Sequence, residues 1–445
     1  MAEKIKVLLV GQGAREHAIA KSLKKSDLEL YAFMKAKNPG IARLATAIEL
    51  AKLNDFQALE AFVKKVQPAL AVIGPENPLA DGIVDFLHEL GVPAIGPKKA
   101  AAKIESSKSF TRKLMQKYNI AGLPAYRIFL PDTPLEEISK YVDAVGKVAV
   151  KRDGLAGGKG VKLMGEHLKN LEEVIKYCQE VFDKGEAVVI EELLEGEEFS
   201  LQCFVAGEQV VPTPIAQDHK RAYEGDKGPN TGGMGSYSAE DHLLPFISAE
   251  VVQKALEIVK QTAKAIKQET GEEYIGILYG GFMLTPKGLK LIEFNARFGD
   301  PEAMNVLPLL KTPLIDIFMA MIKGDLASIK VEFEKKATVC KYLVPEGYPV
   351  APKKEEPIEI NYEQIKEEQV ELFYSSVNEI EPGKIITTTS RAIAIVGIAE
   401  SISEAEKKAE KATSFVNGPL FHRKDVGTEE LIQKRVTHLK ELNVL

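Results

Sequence analysis

The first 105 residues alternate apolar strands with amphipathic helices, and this alternation restricts the fold more than any other feature. The segment IKVLLVGQGAREHAIAKSLKKS, which begins at Ile5, reads as a buried strand, a glycine turn and a helix, and LELYAFM supplies a second strand. From Phe56 onward the same rhythm returns, with LAVIG and PAIG as strands. Strands that alternate with helices pair in parallel, and ligands bind at their carboxyl ends. Residues 1–105 therefore predict an α/β domain.

The rest of the chain changes to a mixed α+β pattern. Strands separated by turn residues predominate, among them VAVKRD, AVVIEELL and EFSLQCFVAGEQVV. Helices are predicted near residues 168–182, 249–269 and 302–323. From about residue 328 a charged segment introduces a third unit, in which apolar strands precede the helix SEAEKKAEKATSFV.

Composition favours a cytoplasmic protein that binds small polar ligands. Cys178, Cys203 and Cys340 are few and widely separated, which argues against a disulfide framework or a zinc knuckle. A net charge of -6 gives no global attraction to nucleic acid or to anionic membranes. No apolar run reaches membrane-spanning length. We expect a soluble, unprocessed protein without nucleic-acid or membrane partners, and a monomer, although an oligomer stays open.

Glycine and lysine concentrate between two predicted strands, in KRDGLAGGKG at residues 151–160. Glycines let several backbone N–H groups converge on one anion and lysines add charge, so the stretch suits a polyphosphate. It is not a Walker A loop, because Lys159 precedes Gly160 and a strand rather than Ser or Thr and a helix. A hairpin with solvated lysines would have the same composition, and that alternative stays open.

Carboxylates end the strand in VVIEELLEGEEF, residues 188–199. Glu191 and Glu192 could hydrogen-bond a purine, and Glu198 could hydrogen-bond a ribose diol. Solvated acidic residues at a strand end are the simpler interpretation of this stretch when it is taken alone.

The stretch LKLIEFNARFGDPEA, residues 289–303, has the pattern of a magnesium site. Glu293 and Asn295 lie two apart on a strand, so a carboxylate and an amide oxygen point the same way, as Mg²⁺ binding requires. Arg297 continues this face and could clamp a carboxylate or a phosphate. The polar outer face of a half-buried strand would show the same alternation.

The remaining candidate binding residues lie in one long segment and in two strand-to-helix turns. Residues 214–238 are polar, rich in glycine and long for a connection, which favours a functional loop, although His219 is not assigned to catalysis. The turn GQGAREH lacks the third glycine of a dinucleotide fingerprint, where Glu16 stands, so it fits a single phosphate better than NAD. Glu76 and Asn77 follow another strand, where they could hold a hydroxyl or an amine. Ordinary turn chemistry explains both strand ends equally well.

Taken in chain order, these stretches resemble the ATP-grasp superfamily and, within it, the glycinamide ribonucleotide synthetase family. The resemblance spans nearly the whole chain and is weakest at about 328–412; DHKR with GPNTGGMG, followed by EFNARFGDPEA, is its most specific part. It implies an α/β and α+β multidomain fold. The implied parts are a Rossmann-like N-terminal domain (1–105), an ATP-grasp domain (106–327, with a lid at about 122–192) and a small C-terminal sheet-plus-helix domain (328–445).

The resemblance also implies a reaction. An enzyme of this family would use ATP and Mg²⁺ or Mn²⁺ to join glycine to 5-phosphoribosylamine through a glycyl phosphate, as a step of purine biosynthesis. Three alternatives stay open: an ATP-grasp carboxylate–amine ligase with another amine acceptor, an NAD-dependent dehydrogenase built on residues 1–105, and a nucleotide-binding regulator without turnover.

Residue roles follow from the resemblance by position. Lys151 and Arg297 are the catalytic candidates, and Glu293 and Asn295 match metal-ligand positions. On the preceding strand Gly281 stands where many superfamily members have a carboxylate, so the remaining metal ligand is unassigned. The implied ATP-binding residues are Lys108, Lys151, Gly154, Gly157, Gly158, Lys159, Glu191, Glu192, Leu194 and Glu198. The implied binding residues for the other substrates are Gly11, Gly13, Arg15, Glu16, Glu76, Asp218, Lys220, Arg221, Asn230, Thr231, Gly232, Arg297 and Asp300.

Overall fold

The computed structural model of the chain describes residues 4–157 and 160–445, and its N-terminal region contains the predicted parallel sheet. The elements of this region are β1 (Lys6–Val10), α1 (Ala14–Leu23), β2 (Glu29–Met34), α2 (Pro39–Leu44), β3 (Ala47–Leu50), α3 (Phe56–Val66), β4 (Leu70–Ile73), α4 (Glu76–Asp81), α5 (Ile83–Glu89), β5 (Ala94–Ile95), α6 (Lys99–Ser106) and α7 (Lys108–Lys117). The strand order is β3–β2–β1–β4–β5, and every pairing is parallel.

This sheet brings two strand-to-helix turns to one edge. The strand order reverses between β1 and β4, where Val10 pairs with Ile73. A crevice forms outside the carboxyl ends of strands at such a reversal. The turns after Val10 and Ile73 therefore lie side by side. The segment that begins at Glu76 is a short helix rather than the predicted loop, and it ends at Gly82, whose φ is +94°.

The lid region has a sheet and an apolar core of its own. Its elements are β6 (Tyr126–Phe129), α8 (Leu135–Val145), β7 (Val148–Arg152), β8 (Val161–Leu163), α9 (Leu171–Phe182) and β9 (Val188–Glu192). The strand order is β6–β9–β7–β8, and all pairings are antiparallel. The predicted hairpin is therefore present, as β7 and β8, and the predicted residues Gly158 and Lys159 of its turn lie outside the described residues. Phe129, Val150 and Ile190 pack with apolar side chains of α8 and α9.

A second antiparallel sheet, β11–β10–β16–β17, forms the centre of the molecule. The elements from here to the C-terminal region are β10 (Glu197–Ala206), β11 (Gln209–Pro212), β12 (Gln217–Asp218), β13 (Arg221–Tyr223), β14 (Lys227–Asn230), β15 (Gly235–Ser238), α10 (Ala249–Thr270), β16 (Ile275–Thr285), β17 (Gly288–Asn295), α11 (Ala303–Val306) and α12 (Leu314–Lys323). The helix predicted near 302–323 is two helices, because Pro308 and Pro313 interrupt it. Residues 214–238 contain four strands rather than one long loop.

The C-terminal region closes over this segment. Its elements are β18 (Ala337–Pro345), β19 (Pro357–Ile360), α13 (Tyr362–Glu367), β20 (Glu371–Tyr374), β21 (Val377–Glu381), β22 (Lys384–Thr387), β23 (Ile393–Ala399), α14 (Ile402–Thr413), β24 (Val416–Asn417), β25 (Leu420–Phe421) and α15 (Glu429–Glu441), after a 3-10 turn at Leu326–Ser328. The sheet order is β12–β15–β18–β23–β20. Strands of the 214–238 segment thus continue the C-terminal sheet across residue 328. The predicted α/β and α+β multidomain fold is confirmed.

Helix length gives one further observation. Within residues 4–157 and 160–445, no helix combines the length and the apolar character that crossing a bilayer requires.

Close packing of β23 against α14 predicts the effect of one substitution. A Cβ added at Gly397 would lie 1.9 Å from the carbonyl oxygen of Ala405. Gly397→Ala should therefore lower the free energy of unfolding by about 1–3 kcal/mol, measured by urea denaturation. Gly281→Ala is the matched control, since a Cβ there would lie no closer than 3.5 Å to any atom outside the adjacent residues. Equal losses in the two variants would contradict the steric explanation.

Candidate active site

A cavity of about 1380 Å³ lies where the N-terminal, lid, central and C-terminal regions meet. Most of the predicted site residues line it. They are Arg15, Glu76, Lys108, Lys151, Gly154, Gly157, Glu191, Glu192, Leu194, Glu198, Asp218, Lys220, Arg221, Asn230, Thr231, Gly232, Glu293, Asn295, Arg297 and Asp300. Among the described residues, Gly11, Gly13 and Glu16 are the predicted positions that do not reach its wall.

The first glycine turn packs around Glu16 instead of opening toward the cavity. The buried Glu16 carboxylate accepts hydrogen bonds from the backbone N–H of Gly13 and from Arg15 Nε. A Cβ at Gly11, whose φ is +120°, or at Gly74 would clash with the Glu16 side chain. These glycines therefore leave room for the Glu16 side chain. The negative charge of Glu16 occupies the N-terminus of α1.

Lys151 reaches the cavity from β7 and is held by two acceptors. Its Nζ lies 2.8 Å from Glu191 Oε2 and donates to the carbonyl of Ile292 at 3.0 Å. Burial lowers the pKa of Lys151, and Glu191 opposes that effect. Glu191 also accepts from Arg112, through Nε at 2.6 Å and Nη2 at 3.0 Å. The Glu191 carboxylate is thus bonded to two cations rather than directed at a ligand.

The neighbouring Glu192 carboxylate also has protein partners. It accepts from the backbone N–H of Ala125 at 2.9 Å and lies 3.1 Å from Lys287 Nζ. Residues 191–194 still line the cavity. Backbone groups of this hinge, rather than the two carboxylates, are consequently the groups that could meet a purine.

The lid turn is tied to the start of α7. Lys108 Nζ donates to the carbonyl of Gly154 at 2.8 Å. The Asp153 carboxylate accepts from the backbone N–H of Ser109 at 3.2 Å, and the Ser107 hydroxyl caps the same helix. These contacts hold the glycine turn at one wall of the cavity, beside two lysines.

Glu293 and Asn295 lie two residues apart on β17 and line the cavity together. Burial would raise the pKa of Glu293, but Lys220, Lys151 and Lys108 lower it below its ordinary value. In the described part of the chain, neither side chain has a hydrogen bond or an ion pair with another residue, so their oxygens remain for a cation. Nor do the described residues contain a group of three or more His, Cys, Asp and Glu side chains suited to a metal. The pair fits Mg²⁺, which takes few protein ligands and completes its shell with phosphate oxygens and water.

Arg297 lies in a buried cluster of opposite charges beside that pair. Its Nη2 is 3.0 Å from Glu105 Oε1, and its Nε is 3.3 Å from Glu76 Oε2. Arg15 Nη1 is 3.9 Å from the same Glu76 oxygen. Burial would raise the pKa of Glu76, but Arg297 and Arg15 lower it to about 2. Burial raises the pKa of Glu105 to about 7, because Arg297 only partly offsets it and Glu76 adds to it.

The 214–238 segment places two cations and a carboxylate on the cavity wall. Lys220 Nζ lies 2.9 Å from Glu198 Oε2. Arg221 pairs with Glu166 of the lid and donates to the carbonyl of Gly228 at 2.8 Å. Burial, reinforced by Glu302, raises the pKa of Asp218 well above its ordinary value. The Arg221 guanidinium thus joins the lid to this segment.

The sequence interpretation missed several wall residues. Arg112 lies within SSKSFTRKLM, residues 106–115, but nothing in this stretch distinguishes it from the lysines beside it. Glu105 ends a helical pattern and gives no local signal. Thr389, Ser390 and Arg391 enter the cavity from the C-terminal region, together with residues of α15. That region carried the weakest resemblance.

The fold and this cavity define an ATP-grasp enzyme. The biotin carboxylase domain of a Hydrogenobacter thermophilus 2-oxoglutarate carboxylase, solved with MgADP, shares the fold at a TM-score of 0.71 and 14% identity, covering 100% of this chain and 96% of that one. The family models of phosphoribosylglycinamide synthetase match its N domain at residues 5–105, its ATP-grasp domain at 106–303 and its C domain at 338–429. The chain belongs to the phosphoribosylglycinamide synthetase family of ligases.

Individual relatives agree with this assignment. A phosphoribosylamine–glycine ligase of Methanocaldococcus jannaschii is 52% identical over 98% of this chain and 100% of its own length. That of Methanosarcina barkeri is 51% identical over the same shares. The crystal structure of a Thermotoga maritima phosphoribosylamine–glycine ligase superimposes with a TM-score of 0.78 at 28% identity, covering 95% of this chain and 100% of that one.

Glu105 predicts a pH-dependent contribution to stability. Its pKa is about 7 in the folded chain against an ordinary 4.5, so the folded state binds its proton more tightly. That contribution is complete below about pH 4.5 and is lost as the pH rises through about 7. Glu105→Gln stays neutral, so its free energy of unfolding relative to wild type should rise across this interval and then level off.

Chemical denaturation at a series of pH values measures this difference. Glu60→Gln is the control, because Glu60 pairs with Lys64 on the exposed surface of α3. A Glu105→Gln profile parallel to wild type, like that expected for the control, would show that Glu105 does not titrate in this interval.

Proposed function

We propose that the chain catalyses the ATP-dependent ligation of glycine to 5-phosphoribosylamine. The products are glycinamide ribonucleotide, ADP and phosphate, in purine biosynthesis. The observation that carries this proposal is one cavity in which Lys108 and Lys151, the Glu293–Asn295 pair and the Arg297 cluster meet. The relatives named for this reaction, about half identical over nearly the whole chain, support the same substrates.

ATP would lie between the lid and β17. Lys108, Lys151, Gly154 and Gly157, with Gly158 and Lys159 of the same turn, would hold the phosphates through ammonium and backbone N–H groups. Backbone groups of residues 191–194, including Leu194, would meet the adenine, and Glu198 the ribose. Glu191 positions Lys151 in this assignment, and Glu192 holds the hinge against Lys287.

Glu293 and Asn295 would hold Mg²⁺ or Mn²⁺ with their side-chain oxygens. The bound cation supplies charge neutralisation to the phosphate oxygens of the nucleotide. The remaining protein ligand stays unassigned, because Gly281, which pairs with Glu293, has no side chain to offer.

The reaction needs positioning rather than a protein nucleophile. The glycine carboxylate attacks the γ-phosphorus of ATP, which forms an acyl phosphate and releases ADP. The amine of phosphoribosylamine then attacks the acyl carbon and displaces phosphate. Lys151 and Arg297 are the catalytic residues, since their charges would neutralise the transferred phosphoryl group. Closure of the lid turn would keep water from the acyl phosphate.

The other substrates would occupy the wall formed by the N-terminal turns and the 214–238 segment. Arg15, Glu76 and Arg297 offer charge beside the N-terminal turns, and Asp218 and Lys220 offer charge from the 214–238 segment. Asp300, Asn230, Thr231 and Gly232 line the same cavity. Arg221 would contribute by holding the lid to this segment. Gly11, Gly13 and Glu16, predicted to bind substrate, would instead shape the turn that presents Arg15.

We further propose the domain division 1–105, 106–327 and 328–445, with the lid at about 122–192. We also propose a monomer whose ligands are the three small substrates, without nucleic-acid or membrane partners. A cytoplasmic location is proposed as well, and three free, buried cysteines support it.

One coupled assay tests the reaction. Product formation and phosphate release are followed with ATP, glycine and phosphoribosylamine together and with each withheld in turn. Glycinamide ribonucleotide should form only in the complete mixture. Ligation of glycine to a different amine, with none to phosphoribosylamine, would point to another carboxylate–amine ligase, and nucleotide binding without turnover would point to a regulator.

Lys151→Ala should lower kcat by at least about 100-fold, since it removes a charge from the transferring phosphoryl group. The fold should persist, because Glu191 keeps its bidentate pairing with Arg112. Steady-state kinetics and a thermal melt measure both effects. Lys140→Ala, which changes an exposed lysine of the lid paired with Glu136, is the matched control. A folded Lys151→Ala with wild-type kcat would refute the role.

Glu293→Gln should raise the Mg²⁺ concentration needed for half-maximal activity by about tenfold or more, since it removes one anionic ligand. A magnesium titration at saturating ATP gives the measurement. Glu208→Gln, a change at an exposed position beyond the cavity, serves as the control. An unchanged magnesium titration for Glu293→Gln would move the cation to other residues.

A further inference from the structure

Arg391 differs from the other arginines that the described chain places on the cavity wall. The other wall arginines each have a side-chain nitrogen within 3.0 Å of a carboxylate oxygen. These arginines are Arg15, Arg112, Arg221, Arg297 and Arg435. Arg391 has its carboxylate contact at 3.3 Å, with Asp300 Oδ1. That oxygen already accepts from the Tyr342 hydroxyl at 2.6 Å.

Backbone carbonyls hold Arg391 in place. Its Nη1 donates to the carbonyl oxygens of Gly232 at 2.6 Å, Gly233 at 2.9 Å and Asp300 at 3.1 Å. Its guanidinium lies 4.4 Å from the centre of the Tyr342 ring. Carbonyls and an aromatic face orient a guanidinium without cancelling its unit charge. Arg391 is therefore fixed, and its contact with Asp300, which Asp300 shares with Tyr342, neutralises it only in part.

One edge of this guanidinium remains for an anion. Nη1 is used by the carbonyls, and in the described chain the buried Nε has no hydrogen-bond partner. Nη2 lies 3.3 Å from Asp300 Oδ1, an oxygen that Arg391 shares with the Tyr342 hydroxyl. The Nε–Nη2 edge has the two parallel N–H groups that bind a carboxylate or a phosphate in bidentate fashion. Thr389 and Ser390, which precede Arg391, line the same cavity and add two hydroxyl groups.

Arg391 lies near the glycine turn that precedes α1, with Asp300 close to both. A Cβ on Gly13 would lie 3.9 Å from Asp300 Oδ2, so the Asp300 carboxylate lies close to that turn as well as to Arg391. The N-terminus of α1, the other candidate for an anion here, is occupied by the Glu16 carboxylate. An anion at this end of the cavity consequently meets Arg391, the wall arginine with the longest carboxylate contact, on the C-terminal region.

We propose that Arg391, with the hydroxyls of Thr389 and Ser390, binds the phosphate monoester of the amine substrate. This subsite rests on the proposed function, in which that substrate carries a 5-phosphate on a pentose. It makes the C-terminal region a determinant of specificity for a phosphorylated amine rather than only a cover for the cavity.

Calorimetric titration of the full chain with ribose 5-phosphate and with ribose tests the subsite. Wild type should bind the phosphate ester and bind ribose at least about tenfold more weakly, since a charge-assisted bidentate contact is lost. Arg391→Lys keeps a charge but loses the fork, and should weaken ribose 5-phosphate binding by a similar factor. The double variant Thr389→Val, Ser390→Ala should weaken it too, and it leaves the carbonyl contacts of Arg391 untouched.

Arg43→Gln is the matched control. Arg43 contacts Tyr374 and Glu379 where the N-terminal and C-terminal regions meet, outside the cavity wall. It should bind ribose 5-phosphate as wild type does, and a thermal melt verifies that each variant folds. If Arg391→Lys does not fold, the double variant decides. Equal binding of ribose and ribose 5-phosphate by wild type, or wild-type affinity in the folded variants, would overturn the subsite.

Kinetics separates this failure from failure of the proposed function. The Arg391→Lys variant should raise KM for phosphoribosylamine about tenfold or more, while KM for ATP stays unchanged. If wild type forms glycinamide ribonucleotide but the folded variants keep its KM, only the subsite is wrong. If wild type forms no product, the proposed reaction is wrong, and the ribose 5-phosphate titration still decides whether Arg391 holds a phosphate ester.

Discussion

The site depends on one buried carboxylate. Glu191, on β9 of the lid, is shared between Arg112 of α7 and Lys151 of β7. Arg112 also donates to the carbonyls of Leu291 and Ile292 on β17, and Lys151 to that of Ile292. Removal of this shared carboxylate would leave two buried cations without their partner, which typically costs about 3–5 kcal/mol. Helix α7, the lid sheet and β17, which come from distant parts of the chain, are thereby fixed around the Lys151 ammonium group.

The same chain uses opposite charges to tie its regions together around the cavity. Glu105 joins α6 to the end of β17 through Arg297 and the backbone N–H of Ala296. Asp226, in the turn between β13 and β14, pairs with Arg423 and with Arg435 of α15. Because these pairs are buried or half-buried, water screens them less than surface pairs. Most cations around the cavity therefore have a carboxylate partner. A bound anion would be attracted most to the cations whose partners neutralise them least.

The sequence predicted the parts of the fold whose signals are local. The strand–helix rhythm of the first 105 residues, the β7–β8 hairpin and the α10 helix need only periodicity and turn residues. Residues 214–238 were predicted as a loop, because the pairing of β15 with β18 joins residues about a hundred positions apart. No local pattern encodes such a partner, and buried Ser236 and Ser238 do not read as core residues. The same limit applied to the prediction of the site residues. Glu293 and Asn295 were found by their spacing, whereas Glu191 was read as a purine ligand because its partner Arg112 is distant in sequence.

The central claim is that a triphosphate lies between the pair of lysines Lys108 and Lys151 and the Glu293–Asn295 pair. A crystal structure of the full chain with Mn²⁺ and a non-hydrolysable ATP analogue tests it most directly. We predict one anomalous peak bonded to a Glu293 carboxylate oxygen and to the Asn295 amide oxygen, with the γ-phosphate beside Lys151. A fully occupied nucleotide elsewhere, or a manganese peak away from both residues, would contradict the claim.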